Sequence, residues 1–177
     1  LSGKTKDDFG HGDARFVTYM NVFSNPVSDL NGVDIVEIDS KQSKVKYGDV
    51  LFTTSSETPD EVGMASVWLG NSVNTYLNSF CFGYRPTEKF NPYYLAYMLR
   101  SPSIRKNFKL LAQGISRYNI SKNKTMEMEI FIPSNVEQKL VGEFFKNLDN
   151  LITLHQREAI FDKSKGGINN VRKSKRD

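Results

Sequence analysis

The chain has 177 residues, of which 38% are hydrophobic and 12% aromatic, and carries a formal net charge of +4. That length buries one real core; no apolar run approaches the ~18 residues of a membrane span, and no signal-peptide pattern is present. A single cysteine, Cys81, excludes an internal disulfide framework and fits a reducing cytoplasm. The basic excess belongs to the end of the chain. Residues 163–177 hold six Lys/Arg and one acid, so residues 1–162 are close to neutral. Residues 85–124 hold nine basic groups against one acid, Glu88, whereas residues 127–162 hold three basic groups against seven acids. A positive middle followed by a negative segment suggests two faces with different partners. The chain opens on Leu1 rather than Met, which fits an excised or processed piece.

In chain order, residues 1–15 are Gly-rich and polar and read as a loop. Residues 16–23 are β-branched and aromatic and read as a strand, broken by Asn25-Pro26. A second strand is expected over 33–38. Tyr47-Gly48-Asp49 turns into a buried strand over 50–54, and Ser55 to Gly63 reads as a polar loop. Further strands are expected over 64–69 and 74–85. Asn91 with Pro92, and Ser101 with Pro102, each pair an N-cap with a first-turn proline. Two helices follow from these signals. Tyr94, Leu95, Met98 and Leu99 form the inward stripe of the first, and Ile104, Phe108 and Leu111 that of the second, which stops at Gly114. A short strand, Ile130 to Pro133, precedes a capping-box pattern, Ser134-Asn135-Val136-Glu137.

The last helix runs from about Asn135 to Phe161, with Leu140, Val141, Phe144, Leu148, Leu151, Ile152 and His155 recurring at helical spacing. Val141, Leu148 and His155 are spaced by heptads, as are Phe144 and Leu151, so they suit the a and d positions of a coiled coil. At about 27 residues such a helix spans about 40 Å, long for the domain before it, and its apolar stripe calls for a partner. The expected class is α+β. A compact domain with a mostly antiparallel, twisted sheet and helices occupies residues 1–133. An amphipathic coiled-coil helix follows over 134–162, and a basic, disordered tail over 163–177.

Patterns that carry catalysis are missing or weak. There is no phosphate-binding loop, no dinucleotide fingerprint and no nucleophile elbow, and His11, His155 and Cys81 lack metal-ligand spacing. No cofactor or metal is expected. Asn91-Pro92-Tyr93-Tyr94 resembles the Asn-Pro-Pro-Tyr motif of adenine methyltransferases but lacks its second proline, and is accounted for as a helix cap. Pro59-Asp60 could begin a nuclease motif, but the Glu-x-Lys downstream, Glu137-Gln138-Lys139, is far away on the last helix.

The ordered set of segments resembles the specificity subunit of type I restriction–modification systems, over about residues 1–160. Gly48-Asp49-Val50-Leu51-Phe52 resembles that family's Gly-Asp-[Ile/Val]-Leu-Phe strand. Asn91 to Ser101 is similar to its Tyr-Leu-x-Tyr-x-Leu helix, and Gln113-Gly114, Ile120-Ser121-Lys122, Ile132-Pro133 and Glu137-Gln138 to its junction. Phe144, Leu148-Asp149 and Leu151-Ile152 sit where its conserved helix reads Phe-x-x-x-Leu-Asp-x-Leu-Ile. The resemblance implies a non-catalytic subunit of the bacterial or archaeal cytoplasm. Such a subunit carries two target-recognition domains, each reading half of a split DNA target. Two long helices set the gap and seat methyltransferase subunits, and through them the restriction subunit. One domain and one helix are present here, so the chain is half of a longer subunit or a half-subunit that pairs with itself.

Base reading needs side chains on loops that reach the major groove, and phosphate contacts need Lys, Arg and hydroxyls. Three loops qualify. The first offers Lys4, Thr5, Lys6, His11 and Arg15; the second Thr53, Thr54, Ser55, Ser56, Glu57 and Thr58; the third Gln113, Ser116, Arg117, Tyr118, Asn119, Ser121 and Lys122. Arg117 suits guanine and Asn119 adenine, while Lys4, Lys6 and Lys122 suit phosphate. The third loop reads equally as a structural turn in which Asn119 and Ser121 cap a short helix, and the second as an ordinary hairpin loop. Two other functions compete: a helix-mediated protein-interaction module without DNA specificity, and a catalytic domain of a type these motifs do not reveal. Salt-dependent DNA binding separates the first reading from both.

Overall fold

The computed structural model describes the backbone of residues 1–173 and the side chains of residues 1–161. A 3-10 turn, Lys6–Asp8, leads into β1 (Phe9–Val17), α1 (Tyr19–Ser24), β2 (Val33–Val36), β3 (Val50–Thr53), β4 (Ser55–Ser56), β5 (Ala65–Val67), β6 (Thr75–Leu77) and β7 (Cys81–Tyr84). Helices α2 (Pro92–Met98) and α3 (Pro102–Leu111), strand β8 (Tyr118–Asn119), and helices α4 (Lys122–Met126) and α5 (Asn135–Lys173) complete the order. The class is α+β, and the single expected sheet is divided into three small ones. One has the order β2-β1-β6, the second β5-β3-β7, and the third is the ribbon β4-β8. Every pairing is antiparallel except β1 with β6.

Strand β3 explains why these pieces hold together. Strand residues alternate faces. Val50 and Phe52 enter a core with Leu95, Ala96, Leu99, Ile104, Phe108 and Ile120 on the helical side. Leu51 enters a second core with Val17, Val22, Val45 and Trp68. All four β3 residues are buried, which is why the segment reads as an apolar run rather than an alternating one. The expected stripes of α2 and α3 face this core. Tyr94, Leu95, Leu99, Ile104 and Phe108 are buried, and Met98 and Leu111 pack beside them.

Four local expectations change. The strand expected over 16–23 ends at Val17, because the Thr18 side chain accepts a hydrogen bond from the Asn21 N–H (3.2 Å) and opens α1. The β-branched and aromatic content there reflects burial, not extension. Most of β1 lies in the stretch expected as a loop, and its register with β2 shifts between Phe9 and Ala14. The strand expected over 74–85 splits into β6 and β7 around Asn78, whose amide donates to the Val17 carbonyl (3.0 Å) and accepts from the Phe80 N–H (2.9 Å). Residues 127–133 form no strand.

Leu1–Gly142 forms one compact unit; the rest of α5 belongs to a second. The first two turns of α5 are therefore built into the first unit. Ser134 and Glu137 make the expected reciprocal cap. Gln138, only 2% exposed, accepts from the Asn91 N–H (3.0 Å) and donates to the Pro133 carbonyl (3.0 Å). Gly142 is required beside it, since a Cβ there would lie 2.4 Å from Asn91 Oδ1. The disorder expected for 163–177 falls outside the residues whose side chains are described, and 174–177 outside the described backbone.

Much of the positive middle is structural. Arg100 donates to the carbonyls of Val22 (2.8 Å), Phe23 (3.0 Å), Asn25 (3.0 Å) and Ala65 (2.7 Å). Burial, reinforced by nearby Arg105, pulls its pKa down to about 10. Arg105 donates to the carbonyls of Asp60, Val62 and Gly63 and lies over the Phe108 ring. Arg85 is held by Asp49 and Lys109 by Asp60. Arg100→Met leaves these carbonyls without donors and is expected to cost about 2–4 kcal/mol. The check is the denaturant midpoint, which should fall at unchanged m-value. A second expectation concerns Cys81, whose thiol burial pushes up to about 12 despite a hydrogen bond from Asn78. Its alkylation at pH 8 should be slower in the folded than in the unfolded chain by on the order of 10³-fold. Equal rates would refute that assignment.

Candidate nucleic-acid interface

Two of the three polar segments singled out in the sequence are joined by backbone pairing. The 113–119 segment closes on itself: the Gln113 N–H donates to the Asn119 carbonyl (2.9 Å) and the Asn119 N–H to the Gln113 carbonyl (2.8 Å). Gly114 makes the tight tip possible. Its φ is +139°, and a Cβ there would lie 2.1 Å from the Arg117 carbonyl oxygen. Ile115, Ser116 and Arg117 are left exposed at that tip. Strand β8 then pairs with β4, setting Asn119 opposite Ser55 and Tyr118 opposite Ser56. Ile120 donates its N–H to the Thr54 carbonyl (3.0 Å) and buries its side chain in the core. Ser121 caps α4, as the structural reading of this loop required, while the Asn119 amide only approaches the Arg117 carbonyl at 3.5 Å.

Helix α1 completes the site. The Tyr19 hydroxyl donates to the Ser55 carbonyl (2.7 Å), fixing the start of α1 against β4. A cavity of about 720 Å³ results, walled by Tyr19, Met20 and Phe23 from α1, by Ser55, Ser56, Glu57 and Glu61, and by Ser116 and Arg117. Burial holds the Tyr19 phenol above its ordinary pKa, opposed by the nearby Arg117 charge, so the ring stays a neutral hydrogen-bond donor. The Arg117 guanidinium has no hydrogen-bond acceptor among the described residues, and Glu57 makes no hydrogen bond or ion pair there. An unpaired cation and an unpaired carboxylate on one open wall match the donor and acceptor sets that read base edges.

Other sequence candidates take different places. Ser55 and Ser56 are 6% exposed and serve as strand residues, with the Ser56 hydroxyl turned to the Thr58 carbonyl. Thr53 is fully buried; its hydroxyl accepts from the Met64 N–H (2.9 Å). Thr54 is half-buried, and its backbone links to Phe80 and Ile120. Thr58 donates to Glu61 (2.8 Å). Lys4 is drawn into ion pairs with Asp8 (3.3 Å) and Asp39 (3.4 Å), and Thr5 caps the 3-10 turn with Asp8. Lys6 is exposed in that turn, and His11 lies 3.5 Å from Glu37. Arg15 is exposed on β1 and lines a separate cavity beside Trp68. None of this first loop lines the Arg117 cavity.

Tyr19, Met20, Phe23 and Glu61 are site residues that sequence reasoning missed. A Thr-x-x-Asn cap at 18–21, followed by Asn25-Pro26, was the available signal for a short helix that turns three of them to one side. The Arg117 cavity also shares wall residues with a neighbouring cavity. Tyr19 and Met20 are shared with an apolar saddle lined by Phe9, Phe16 and Phe80, and Asn78 and Ser79 join that saddle to a third cavity, where Lys122 lies. Among the described residues no group of three His, Cys, Asp or Glu side chains is placed to hold a metal ion, and Asn91 is engaged as the cap of α2, accepting from the Tyr94 N–H (3.0 Å).

A putative type I restriction enzyme MjaX specificity subunit from Methanocaldococcus jannaschii is 25% identical over 172 residues, covering 93% of this chain and 39% of that protein. A chain from a structural study of complex assembly and conformational transition of the type I R-M system superposes with a TM-score of 0.55 at 15% identity, over 88% of this chain and 36% of its own. The S subunit of a type I restriction-modification system from M. genitalium superposes with a TM-score of 0.50 at 17% identity, over 85% and 37% respectively. The chain thus spans less than two-fifths of the length of these relatives. The family model for the type I restriction modification DNA specificity domain matches residues 4–160, and the chain belongs to that family.

Proposed function

We propose that this chain is a target-recognition unit of a type I restriction–modification specificity subunit, and that it reads one half of a split double-stranded DNA target without performing chemistry. The observation that carries this is the Arg117 cavity, walled by α1, β4 and the 114–117 tip, in a chain of a DNA specificity family. Arg117 offers a bidentate donor for guanine, and Glu57 an acceptor for a cytosine amino group. Arg100 and Arg105, locked onto backbone carbonyls, hold the frame instead of touching nucleic acid.

Helix α5 supplies the second half of the proposal. Leu140, Val141, Phe144, Leu148, Leu151, Ile152 and His155 are all exposed, Phe144 at 63% and Leu151 at 54%. A heptad stripe of that kind is what a coiled-coil partner buries. We assign it to pairing, either with the equivalent helix of a longer subunit or with a second copy, and to seating methyltransferase subunits that in turn carry the restriction subunit. A two-fold pair of half-subunits would read a palindrome. The cytoplasm of a bacterium or archaeon is the matching compartment, and among the described residues no helix is long and apolar enough to cross a membrane.

Two outcomes test these assignments. Arg117→Ala, in complex with methyltransferase subunits, is expected to cost about 1–3 kcal/mol on cognate DNA and to relax preference at one base pair; an unchanged preference removes Arg117 from the reading role. Light scattering should give twice the monomer mass for the full chain, and the monomer mass for Leu148→Asp/Ile152→Asp. A monomer in both cases rejects self-pairing and leaves the helix to a partner within a longer chain.

A further inference from the structure

We propose that the cleft beneath β7 is a clamp for DNA backbone phosphates, formed by Lys41, Lys44 and Lys122. The proposal rests on the DNA-recognition reading and adds to it Lys41 and Lys44, which lie outside the three polar loops and share a cleft with Lys122 of the third. The cleft encloses about 600 Å³ and is lined by four basic side chains, Lys41, Lys44, Arg85 and Lys122, against a single carboxylate, Asp49.

That carboxylate is already neutralised. Arg85 donates to both of its oxygens at 2.7 Å, and the Lys46 N–H donates to it at 2.8 Å. Arg85 also reaches the Lys44 carbonyl (3.3 Å), so it braces the lysine-bearing segment against β7 and is not itself a free ligand. Three ammonium groups remain. Lys44 spends one proton on the neutral Asn74 Oδ1 (2.9 Å), while the Lys41 and Lys122 side chains have no polar partner among the described residues. Like charges sharing a cleft repel one another, and a polyanion placed between them relieves that repulsion. Lysine ammonium groups bind phosphate as point charges without demanding a fixed geometry, which suits a sequence-independent contact.

The charge of the cleft and the residues it shares with its neighbours favour a polymeric anion. Asn78 and Ser79 line both this cleft and the apolar saddle, and Tyr19 and Met20 line both the saddle and the Arg117 cavity. A backbone held at Lys41 and Lys44 would pass over these shared residues toward the Arg117 cavity. The clamp supplies register and affinity; the Arg117 cavity supplies sequence.

The test uses the full chain and a fluorescent duplex of arbitrary sequence, titrated across a series of salt concentrations. For Lys41→Gln/Lys44→Gln the slope of log binding constant against log salt should become shallower by about 0.9 per lysine, and by the same step for Lys122→Gln. Lys89→Gln/Lys106→Gln removes the same charge away from the cleft and should leave the slope unchanged. An unchanged slope in the cleft variants, an equal change in the control, or no duplex binding by the unaltered chain at low salt overturns the clamp. Displacement of the duplex by micromolar inorganic tripolyphosphate overturns it too, by showing a small-anion site. The recognition reading is judged separately, by sequence preference in the complex with methyltransferase subunits, which Lys41→Gln/Lys44→Gln should preserve even as affinity falls.

Discussion

The Arg100 guanidinium is the interaction on which the rest of the recognition unit depends. It gathers three carbonyls at the C-terminal end of α1 and one from β5, and its own backbone closes α2. Three elements from separate parts of the chain are thereby pinned at one point. A positive charge at a helix C-terminus is favourable in its own right, and here it also satisfies carbonyls that a six-residue helix leaves unbonded. Among the described residues no carboxylate pairs with it, and its partners there are backbone carbonyls. Loss of the fork would strand several acceptors together, which is why arginine rather than lysine fits there.

From that pin the recognition surface follows. Fixing the end of α1 fixes its start, and Tyr19 at that start holds β4 through the Ser55 carbonyl. Strand β4 in turn holds β8, and β8 carries the Arg117 tip. The exposed tip is thus suspended from a chain of backbone hydrogen bonds that ends in the core at Ile120. A side chain mounted this way, as Arg117 is, is held by the frame, while neighbouring tip residues such as Ile115 and Ser116 contribute no bond to it among the described residues. Division of labour among the cations has the same logic. Arg85, Arg100 and Arg105 spend their planar forks on Asp49 and on carbonyls, whereas Arg117 at the tip makes no such bond among the described residues.

The junction with α5 is built differently. Gln138 is a buried amide that bonds on both sides, to Asn91 of the α2 cap and to Pro133 of the incoming chain. A buried amide satisfied at both ends is specific, because any change of register would leave it unpaired. The first two turns of the helix are therefore fixed within the first unit, with Gly142 allowing close approach to Asn91. Its later apolar residues, from Phe144 onward, are exposed.

Sequence alone determined those features whose cause is local. Caps at Asn91, Ser121 and Ser134 act within three residues, prolines at 92 and 102 fix their own φ, and the buried run at 50–53 and the helical stripes follow from periodicity. Family membership was legible for the same reason, since it was carried by an ordered set of such local signals, and the family model matches residues 4–160. Tertiary structure alone decided which polar residues share a site. Ser55 and Asn119 meet by strand pairing, Tyr19 joins them through a helix too short for periodicity to reveal, and Lys41 and Lys122 line one cleft. It also decided which cations are free: Lys4 and Lys122 look alike in sequence, but Asp8 and Asp39 fold onto one and nothing described folds onto the other. Long-range pairing depends on the sum of many weak contacts across the core, and no window of the sequence contains that sum.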